Sequence, residues 1–210
     1  MKKLMTQLLF LLLLLPGSQI SVADTFQEGV QYKRILPPQH TANEDKVEVV
    51  ELFWYGCPHC HRFQPYVERW LRKKPDNVDY IRLPATLRES WAIHARAFYA
   101  AEALGALDKT HADLFDAIHN KKRKLNTEDA LVKFYVEHGV DEDAFRKAFH
   151  SFGVDSKVRR ARQMTRRYHV EGTPAVIVNG KYRIDAGMAG GYPGMIKVID
   201  YLVKLESKTE

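Results

Sequence analysis

The residues best suited to chemistry in this chain lie in one nonapeptide, FWYGCPHCH. It contains both cysteines of the 210-residue sequence, Cys57 and Cys60. Pro58 and His59 lie between them, and His61 follows directly. A Cys-x-x-Cys pair is typical of a reversible dithiol or of half a zinc site, and with a following histidine it is also typical of covalent haem attachment. The spacing alone leaves these alternatives open.

The motif lies between a predicted strand and a predicted helix. Residues 46–54 are rich in β-branched and aromatic side chains and predict a buried strand that leads directly into the motif. Apolar residues after Cys60 recur at helical spacing until Pro75, so the motif opens a helix. Residues 78–83 predict a second strand. A strand–helix–strand order of this kind favours two parallel strands joined by a right-handed crossover.

Cys57 therefore falls at the N-terminus of the predicted helix. Unpaired backbone amides and the positive end of the helix dipole favour a thiolate at that position. Pro58 suits the first helical position because it has no amide hydrogen and a fixed φ, and His59 can add a hydrogen bond or a positive charge. Cys60 lies one turn further on, close enough to form a disulfide with Cys57. We expect Cys57 to be the attacking and leaving sulfur and Cys60 to be the resolving one.

The rest of the chain predicts a helical middle and a second β-rich region. The middle contains five predicted helices, over residues 90–104, 108–120, 127–138, 141–149 and 155–168. Asn126 is the predicted N-cap of the third of these helices. The turn pair Asn179-Gly180 lies between two short β-rich runs and predicts a hairpin. A last helix is predicted over residues 192–204.

The first 23 residues predict a cleaved secretory signal peptide. Lys2 and Lys3 precede an apolar run, and Ser21-Val22-Ala23 places small residues at the cleavage positions. The apolar run is well short of the roughly 20 residues that span a bilayer. The mature chain is expected to begin at Asp24. Cleavage removes two lysines and no acid, which lowers the formal net charge from +6 to +4.

The positive charge of the mature chain clusters at two places, residues 121–124 and residues 159–167. A nucleic-acid-binding protein would combine such a patch with interleaved aromatic residues or with a known motif, and neither is present. We interpret both clusters as solvated helix faces and expect no nucleic-acid partner. The mature length suits one domain with a sizeable core, or one domain with an insertion.

The sequence resembles the bacterial DsbA family of thiol:disulfide interchange proteins over essentially the whole mature chain. The resemblance rests on CPHC after an aromatic-rich strand, on the helical middle, and on Gly172-Thr173-Pro174 before a short strand. It implies an α/β protein with a thioredoxin-like fold and an inserted all-helical domain. Residues 24–86 and 165–210 would form the discontinuous thioredoxin-like domain, and residues 87–164 would form the helical insertion. A redox-active Cys57–Cys60 disulfide is implied, with no cofactor and no metal.

The resemblance adds three residues to the expected site. Pro174 would be a cis proline beside the Cys-x-x-Cys motif, and the backbone at Thr173 would pair with the substrate chain as an added strand. Glu51 matches the buried acid of the family and would accept the proton of Cys60. The alternative for Glu51 is an exposed glutamate on an edge strand, since charged residues are seldom buried without a partner. Gln64 departs from relatives that carry an acid just after the motif.

The implied function is the oxidation of cysteine pairs in newly exported, unfolded polypeptides in the periplasm. A stabilised Cys57 thiolate favours the reduced form, which makes the disulfide a strong oxidant. The resemblance also implies a quinone-linked membrane oxidase similar to DsbB that reoxidises the pair. Isomerases of this fold usually add an N-terminal dimerisation domain, and only about 20 mature residues precede the first predicted strand. We therefore expect a monomeric oxidase with an apolar, partly exposed surface around Trp54, Tyr55 and His59.

Other functions remain open at this level. An exported disulfide reductase or isomerase would share the fold and the motif. A haem-c electron-transfer protein would use His61 as its axial ligand, although the motif here follows a strand in a βαβ pattern. A structural zinc site needs four ligands, and only scattered histidines accompany the two cysteines, namely His94, His111, His119 and His138. The non-enzyme alternative is a solute-binding or chaperone module with an incidental disulfide.

Overall fold

The computed structural model of the protein describes residues 25–207. The predicted signal peptide and the predicted mature terminus at Asp24 lie outside the described residues. The strands are β1 (Lys33–Arg34), β2 (Val47–Phe53), β3 (Val78–Pro84), β4 (Ala175–Val178) and β5 (Tyr182–Asp185). The helices are α1 (Pro58–Leu71), α2 (Ala92–Ala103), α3 (Leu107–His119), α4 (Glu128–Glu137), α5 (Glu142–Phe149), α6 (Phe152–Arg167) and α7 (Tyr192–Glu206). Among residues 25–207, no helix has the length and apolarity that a bilayer span requires.

The five strands form one sheet in the order β1-β5-β4-β2-β3. β2 and β3 are parallel, as the strand–helix–strand pattern predicts, and α1 connects them. The other pairs in the sheet are antiparallel. All seven residues of β2 are buried because the strand lies between β4 and β3 and is covered on both faces. This position explains why five of its seven residues are apolar.

Helices cover both faces of the sheet. On one face, Val49 of β2 packs with Phe63 of α1 and Leu202 of α7. On the other face, Val50 packs with Met164 of α6. Burial of a large apolar side chain contributes about 1.5–3 kcal/mol each, so these two layers hold β2 and the start of α1 in fixed positions.

Helices α2 to α6 surround a separate aromatic core that reaches the end of β2. Phe53 and Tyr55 extend from β2 into this core, where their neighbours include Phe98 and Phe115. Cys57 and Cys60 belong to the same buried cluster. The Cys-x-x-Cys motif therefore lies at the junction between the sheet and the helical region.

Local capping explains where the later helices begin. The side chains of Thr127, Asp141 and Ser151 each accept a hydrogen bond from the backbone amide three residues on, and these bonds start α4, α5 and α6. The prediction of Asn126 as the cap of α4 is therefore wrong by one residue. α6 begins at Phe152, before the predicted residue 155, because Ser151 supplies a cap there.

The predicted hairpin is confirmed, with β4 and β5 joined through Asn179 and Gly180. Both turn residues have positive φ, 51° and 64°, which is the backbone that an Asn-Gly turn requires. A Cβ at Gly180 would lie 2.0 Å from the carbonyl oxygen of Gln39, so glycine is also required by the close approach. The two-residue strand β1, which pairs with β5, has no counterpart among the predicted elements.

The division of the chain into two domains stays a prediction. α6 continues through residue 164, where the helical insertion was predicted to end. Met164 and Tyr168, at the end of α6, pack in the cluster that covers the sheet. α6 thus contributes to both regions.

Candidate active site

Cys57 and Cys60 lie at the start of α1 as free thiols. Cys57 is the N-cap residue, with φ −88° and ψ 115°, and Pro58 occupies the first turn. Only 8% of Cys57 is exposed and Cys60 is fully buried. The arrangement directs the first amides of the helix toward the Cys57 sulfur, because a side chain at the N-cap position faces them.

The surroundings move the acidities of the two thiols in opposite directions. The pKa of Cys57 is lowered to about 5 by a hydrogen bond from the Cys60 side chain, against the effect of burial, with further bonds from Thr173 and from the backbone amides of Cys60 and His59. The pKa of Cys60 is raised well above its ordinary value by burial and by the adjacent Cys57. Near neutral pH, Cys57 is therefore the thiolate and Cys60 is the thiol that donates to it.

The Thr173–Pro174 peptide lies beside Cys57 and is cis. The Cys57 Sγ is 3.2 Å from the Thr173 carbonyl oxygen and donates to it when protonated. A cavity of about 320 Å³ begins here, and its lining includes His59, Gly172, Pro174 and Arg183. The structure thus brings Thr173 and Pro174 to the sulfur, 116 residues away in sequence.

The His59 side chain is exposed and makes its contacts away from the sulfur. Its Nδ1 lies 3.1 Å from the hydroxyl of Tyr192, at the start of α7, and 3.1 Å from Nη2 of Arg62. The contribution of His59 to the Cys57 thiolate comes from its backbone amide.

Glu51 is fully buried in the central strand β2. Its carboxylate accepts a hydrogen bond of 3.0 Å from Gln64 Nε2 and a second from the Tyr80 hydroxyl, and Arg82 Nε lies at 4.0 Å. Burial raises the pKa of Glu51, and Tyr80, Arg82 and Gln64 oppose that rise. The alternative of an exposed edge-strand glutamate is therefore wrong.

Gln64, which departs from the family pattern, has a clear place in this network. It follows Cys60 by one turn of α1 and donates its amide hydrogen to Glu51. The buried carboxylate is therefore hydrogen-bonded to Gln64 of α1 and to Tyr80 of β3. A neutral amide at this position satisfies the carboxylate without adding a second buried charge.

The active-site loop is residues 54–57, between β2 and α1. Three residues in or beside this loop that fix its position were not predicted as site residues. Tyr55 is fully buried, and its hydroxyl lies 2.8 Å from His111 Nδ1. His119 Nε2 donates to the Tyr55 carbonyl oxygen at 2.7 Å, and its ring stacks on His61 with centroids 5.1 Å apart. The expectation that Tyr55 lies on an exposed surface is wrong. Its position two residues after Phe53 was the available signal, since alternate residues of a strand share a face.

Trp54 forms the other wall of the loop. Its ring stacks on Trp91 with centroids 4.2 Å apart and an interplanar angle of 3°. A Cβ on Gly56 would lie 2.3 Å from the Trp54 ring, so only glycine fits beneath it. Both tryptophans are partly exposed, which places an apolar surface next to Cys57 as expected.

The remaining histidines of the zinc alternative have partners within the protein. His94 Nε2 lies 2.7 Å from the carbonyl oxygen of Leu125, and His138 Nδ1 lies 2.6 Å from that of Phe134. Over residues 25–207, no group of three or more His, Cys, Asp or Glu side chains is placed to hold a metal ion.

Comparison with known proteins gives consistent matches. Residues 80–194 match the DSBA-like thioredoxin domain family. The chain is 42% identical to the thiol:disulfide interchange protein DsbA of Azotobacter vinelandii, over 92% of this chain and 90% of that protein. It is 38% identical to DsbA of Burkholderia cepacia, over 97% of each.

Solved structures give the same result. The crystal structure of Pseudomonas aeruginosa DsbA superposes with a TM-score of 0.83 at 38% identity, covering 88% of this chain and 96% of that one. The structure of DsbA from Xylella fastidiosa superposes with a TM-score of 0.79 at 31% identity, covering 84% and 95%.

Proposed function

The chain belongs to the DsbA family of thiol:disulfide interchange proteins, and from this premise we propose that it donates its Cys57–Cys60 disulfide to newly exported, unfolded polypeptides. It is a protein thiol:disulfide oxidoreductase with the thioredoxin-like fold and the inserted helices that its sequence predicts. The observation that carries the direction of transfer is the opposite tuning of the two thiols, with a pKa of about 5 at Cys57 and a raised pKa at Cys60.

The proposed exchange proceeds in two steps. A substrate thiolate attacks Cys57 Sγ, the Cys57–Cys60 bond breaks, and Cys60 leaves and takes up a proton because its pKa is raised. A second substrate thiolate then attacks the substrate sulfur of the mixed disulfide and releases Cys57 as a stable thiolate. Two electrons pass from the substrate to the protein. One substrate proton ends on Cys60 and the other goes to solvent.

The stability of the Cys57 thiolate sets the driving force of the second step. With a pKa of about 5, the thiolate is favoured at pH 7 by about two pKa units, or roughly 3 kcal/mol. At about 30 mV per 1.4 kcal/mol this corresponds to roughly 60 mV of additional oxidising power. A sulfur that leaves so readily suits a disulfide donor better than a reductase.

The cavity beside Cys57 supports a role for Thr173 and Pro174 in substrate binding. The Thr173 carbonyl oxygen lies 3.2 Å from Cys57 Sγ, at the mouth of the cavity that His59 also lines. We propose that the backbone at Thr173 forms hydrogen bonds with an extended segment of the substrate, as in β-strand addition. Pro174 would keep this backbone against the sulfur, and the nearby surface of Trp54 would accept apolar side chains of unfolded substrates.

Glu51 is proposed to accept the proton of Cys60 when Cys60 resolves a mixed disulfide. The support is its raised pKa and its hydrogen bond to Gln64, which follows Cys60 by one turn of α1. Glu51→Gln should slow the resolution of a Cys57–glutathione mixed disulfide by about tenfold or more, since general bases contribute at least that much. Glu68→Gln, which removes an exposed carboxylate paired with Arg82, is the matched control and should leave the rate unchanged.

The remaining parts of the proposal concern location and partners. The protein would act as a monomer in the periplasm, where the predicted signal peptide would direct it. A quinone-linked membrane oxidase similar to DsbB would restore the disulfide after each transfer.

The function is tested by mixing the oxidised mature protein with reduced, unfolded ribonuclease and following disulfide formation. Cys57→Ser should abolish oxidation. Cys60→Ser should accumulate a mixed disulfide when its Cys57 thiolate attacks a substrate cysteine held as a disulfide with 5-thio-2-nitrobenzoate, which leaves as the free thiolate. An isolated protein that reduces insulin disulfides but fails to oxidise ribonuclease would identify a reductase or isomerase of the same fold instead.

A further inference from the structure

A second cleft lies on the face of the sheet opposite α1. One part is a cavity of about 440 Å³ whose apolar wall includes Val50, Leu83 and Met164. It adjoins a second cavity of about 660 Å³ along α6, and the two share four lining residues, among them Arg160 and His40. We call the combined feature the α6 cleft. Neither cysteine lines it, and it opens toward the N-terminal half of β2, whereas Cys57 follows the C-terminal end.

The α6 cleft contains two guanidinium groups that have no hydrogen-bonded or ion-paired partner among the described residues. Arg160 and Arg167 both line it, and neither forms a hydrogen bond or an ion pair with any of the residues 25–207. The neighbouring cations differ in this respect. Arg159 is bonded to Asp155, and Lys157 forms an ion pair of 2.6 Å with Glu102.

Two carboxylates also face the apolar part of the cleft, and both have partners. Glu48 is 6% exposed, and its Oε2 accepts the amide hydrogen of Ala42 at 3.1 Å. Glu102 is held by Lys157. The part along α6, which Arg160 and Arg167 line, has no carboxylate in its lining.

Arg160 is exposed and lines both cavities of the cleft. Burial raises the pKa of Tyr168 to about 12, and the nearby positive charge of Arg160 opposes that rise. The same charge acts on Glu48 and on Tyr99, which line the cleft from β2 and α2. An exposed cation that lines both cavities is accessible to an anionic group of a partner.

We propose that the α6 cleft is a docking site for an extended acidic segment of another polypeptide. An apolar side chain of that segment would enter the cavity over Val50 and Met164, and its carboxylates would pair with Arg160 and Arg167. Guanidinium groups bind carboxylates through two parallel hydrogen bonds, which gives direction as well as charge. Seven residues of helix separate the two arginines, or about 10 Å, which is the length of roughly three residues of extended peptide.

The concave shape distinguishes a polypeptide from an anionic membrane as the partner. A cavity of about 440 Å³ accommodates one large side chain, whereas a flat lipid surface would leave its apolar wall uncovered. Docking here is independent of the thiol chemistry, since the cleft contains neither Cys57 nor Cys60. The site would hold a partner while the other face of the molecule exchanges disulfides.

The test uses the oxidised mature protein and a fluorescein-labelled, cysteine-free peptide containing DEWDE, followed by fluorescence anisotropy at low salt. Saturable binding is expected, weakening with added salt as Debye screening requires. Arg160→Glu and Arg167→Glu should each weaken binding by about tenfold or more, which is about 1.4 kcal/mol. Arg166→Glu makes the same charge change on the same helix outside the cleft lining and should change binding less than twofold.

Two control measurements show whether a variant has lost stability or thiol chemistry instead of peptide binding. Urea unfolding should show all three variants as stable as the parent protein, and ribonuclease oxidation should be unchanged in all three. A peptide with glycine in place of tryptophan should bind more weakly, because the apolar cavity over Val50 and Met164 would lose its occupant. The proposal is overturned by the absence of saturable peptide binding, by equal losses in Arg166→Glu and Arg167→Glu, or by binding to phosphatidylglycerol vesicles without binding to the peptide.

Discussion

Replacing Cys60 with alanine should raise the pKa of Cys57, because the Cys60 side chain makes the largest contribution to lowering it. A hydrogen bond to a charged group contributes about 1.5–3 kcal/mol. At 1.36 kcal/mol per pKa unit, its loss raises the pKa by about 1 to 2 units, from about 5 to about 6 or 7. Cys60→Ser keeps a hydroxyl donor at the same position and should leave the pKa within about half a unit of the parent value.

The assay is the rate of alkylation of Cys57 by iodoacetamide as a function of pH, with the ultraviolet absorbance of the thiolate as a second reading. A Cys60→Ala midpoint that stays near 5 would refute the reasoning and would assign the lowered pKa to the helix amides alone.

The free energy of unfolding gives an independent check. A thiol whose folded-state pKa is lowered stabilises the fold above its unfolded-state pKa, and this contribution is lost as pH falls through the folded-state value. The amount by which Cys60→Ala is less stable than Cys60→Ser should therefore be about 1–2 kcal/mol larger at pH 7 than near pH 4.

Two further predictions concern the loop before Cys57. Gly56→Ala should lower the free energy of unfolding by about 1–3 kcal/mol in urea, because its Cβ would lie 2.3 Å from the Trp54 ring. Gly153→Ala, where the nearest atom is 4.0 Å away, should be neutral or stabilising by about 0.5–1 kcal/mol. Burial lowers the pKa of His111 well below its ordinary value. Below about pH 6.5 this histidine is therefore protonated in the unfolded chain and neutral in the folded protein, which favours unfolding. The free energy of unfolding should therefore fall by up to about 2 kcal/mol between pH 6.5 and 5 because of this residue. His111→Asn should make that dependence on pH shallower, measured by urea unfolding at several pH values.

The elements nearest the motif could be predicted because their patterns are local. The apolar run of β2, the position of Pro58 and the Asn179-Gly180 turn each determine a backbone conformation from a few neighbouring residues. β1 could not be predicted in this way, since two residues become a strand only through pairing with β5, about 150 positions later. The start of α6 was misplaced because Gly153 is a poor helix former, so the local pattern does not predict the first helical turn that the Ser151 cap stabilises.

The candidate site shows the same division. The placement of Cys57 follows from its position at a helix terminus, and burial of Glu51 was anticipated from the family resemblance with an exposed alternative. The reason for that burial is tertiary, because Tyr80 and Gln64 come from the next strand and helix. The support that His111 and His119 give to Tyr55 depends on contacts 56 and 64 residues apart, which no local pattern contains.

The reduction potential of the Cys57/Cys60 pair, equilibrated with glutathione buffers at pH 7, tests the central claim most directly. The Cys57 pKa of about 5 places the potential roughly 60 mV or more above the thioredoxin value of about −270 mV, so at about −210 mV or higher. A potential between about −210 mV and the −120 mV known for DsbA would support a disulfide donor. A value near −270 mV would contradict the account, because the stabilised thiolate would then supply no oxidising power.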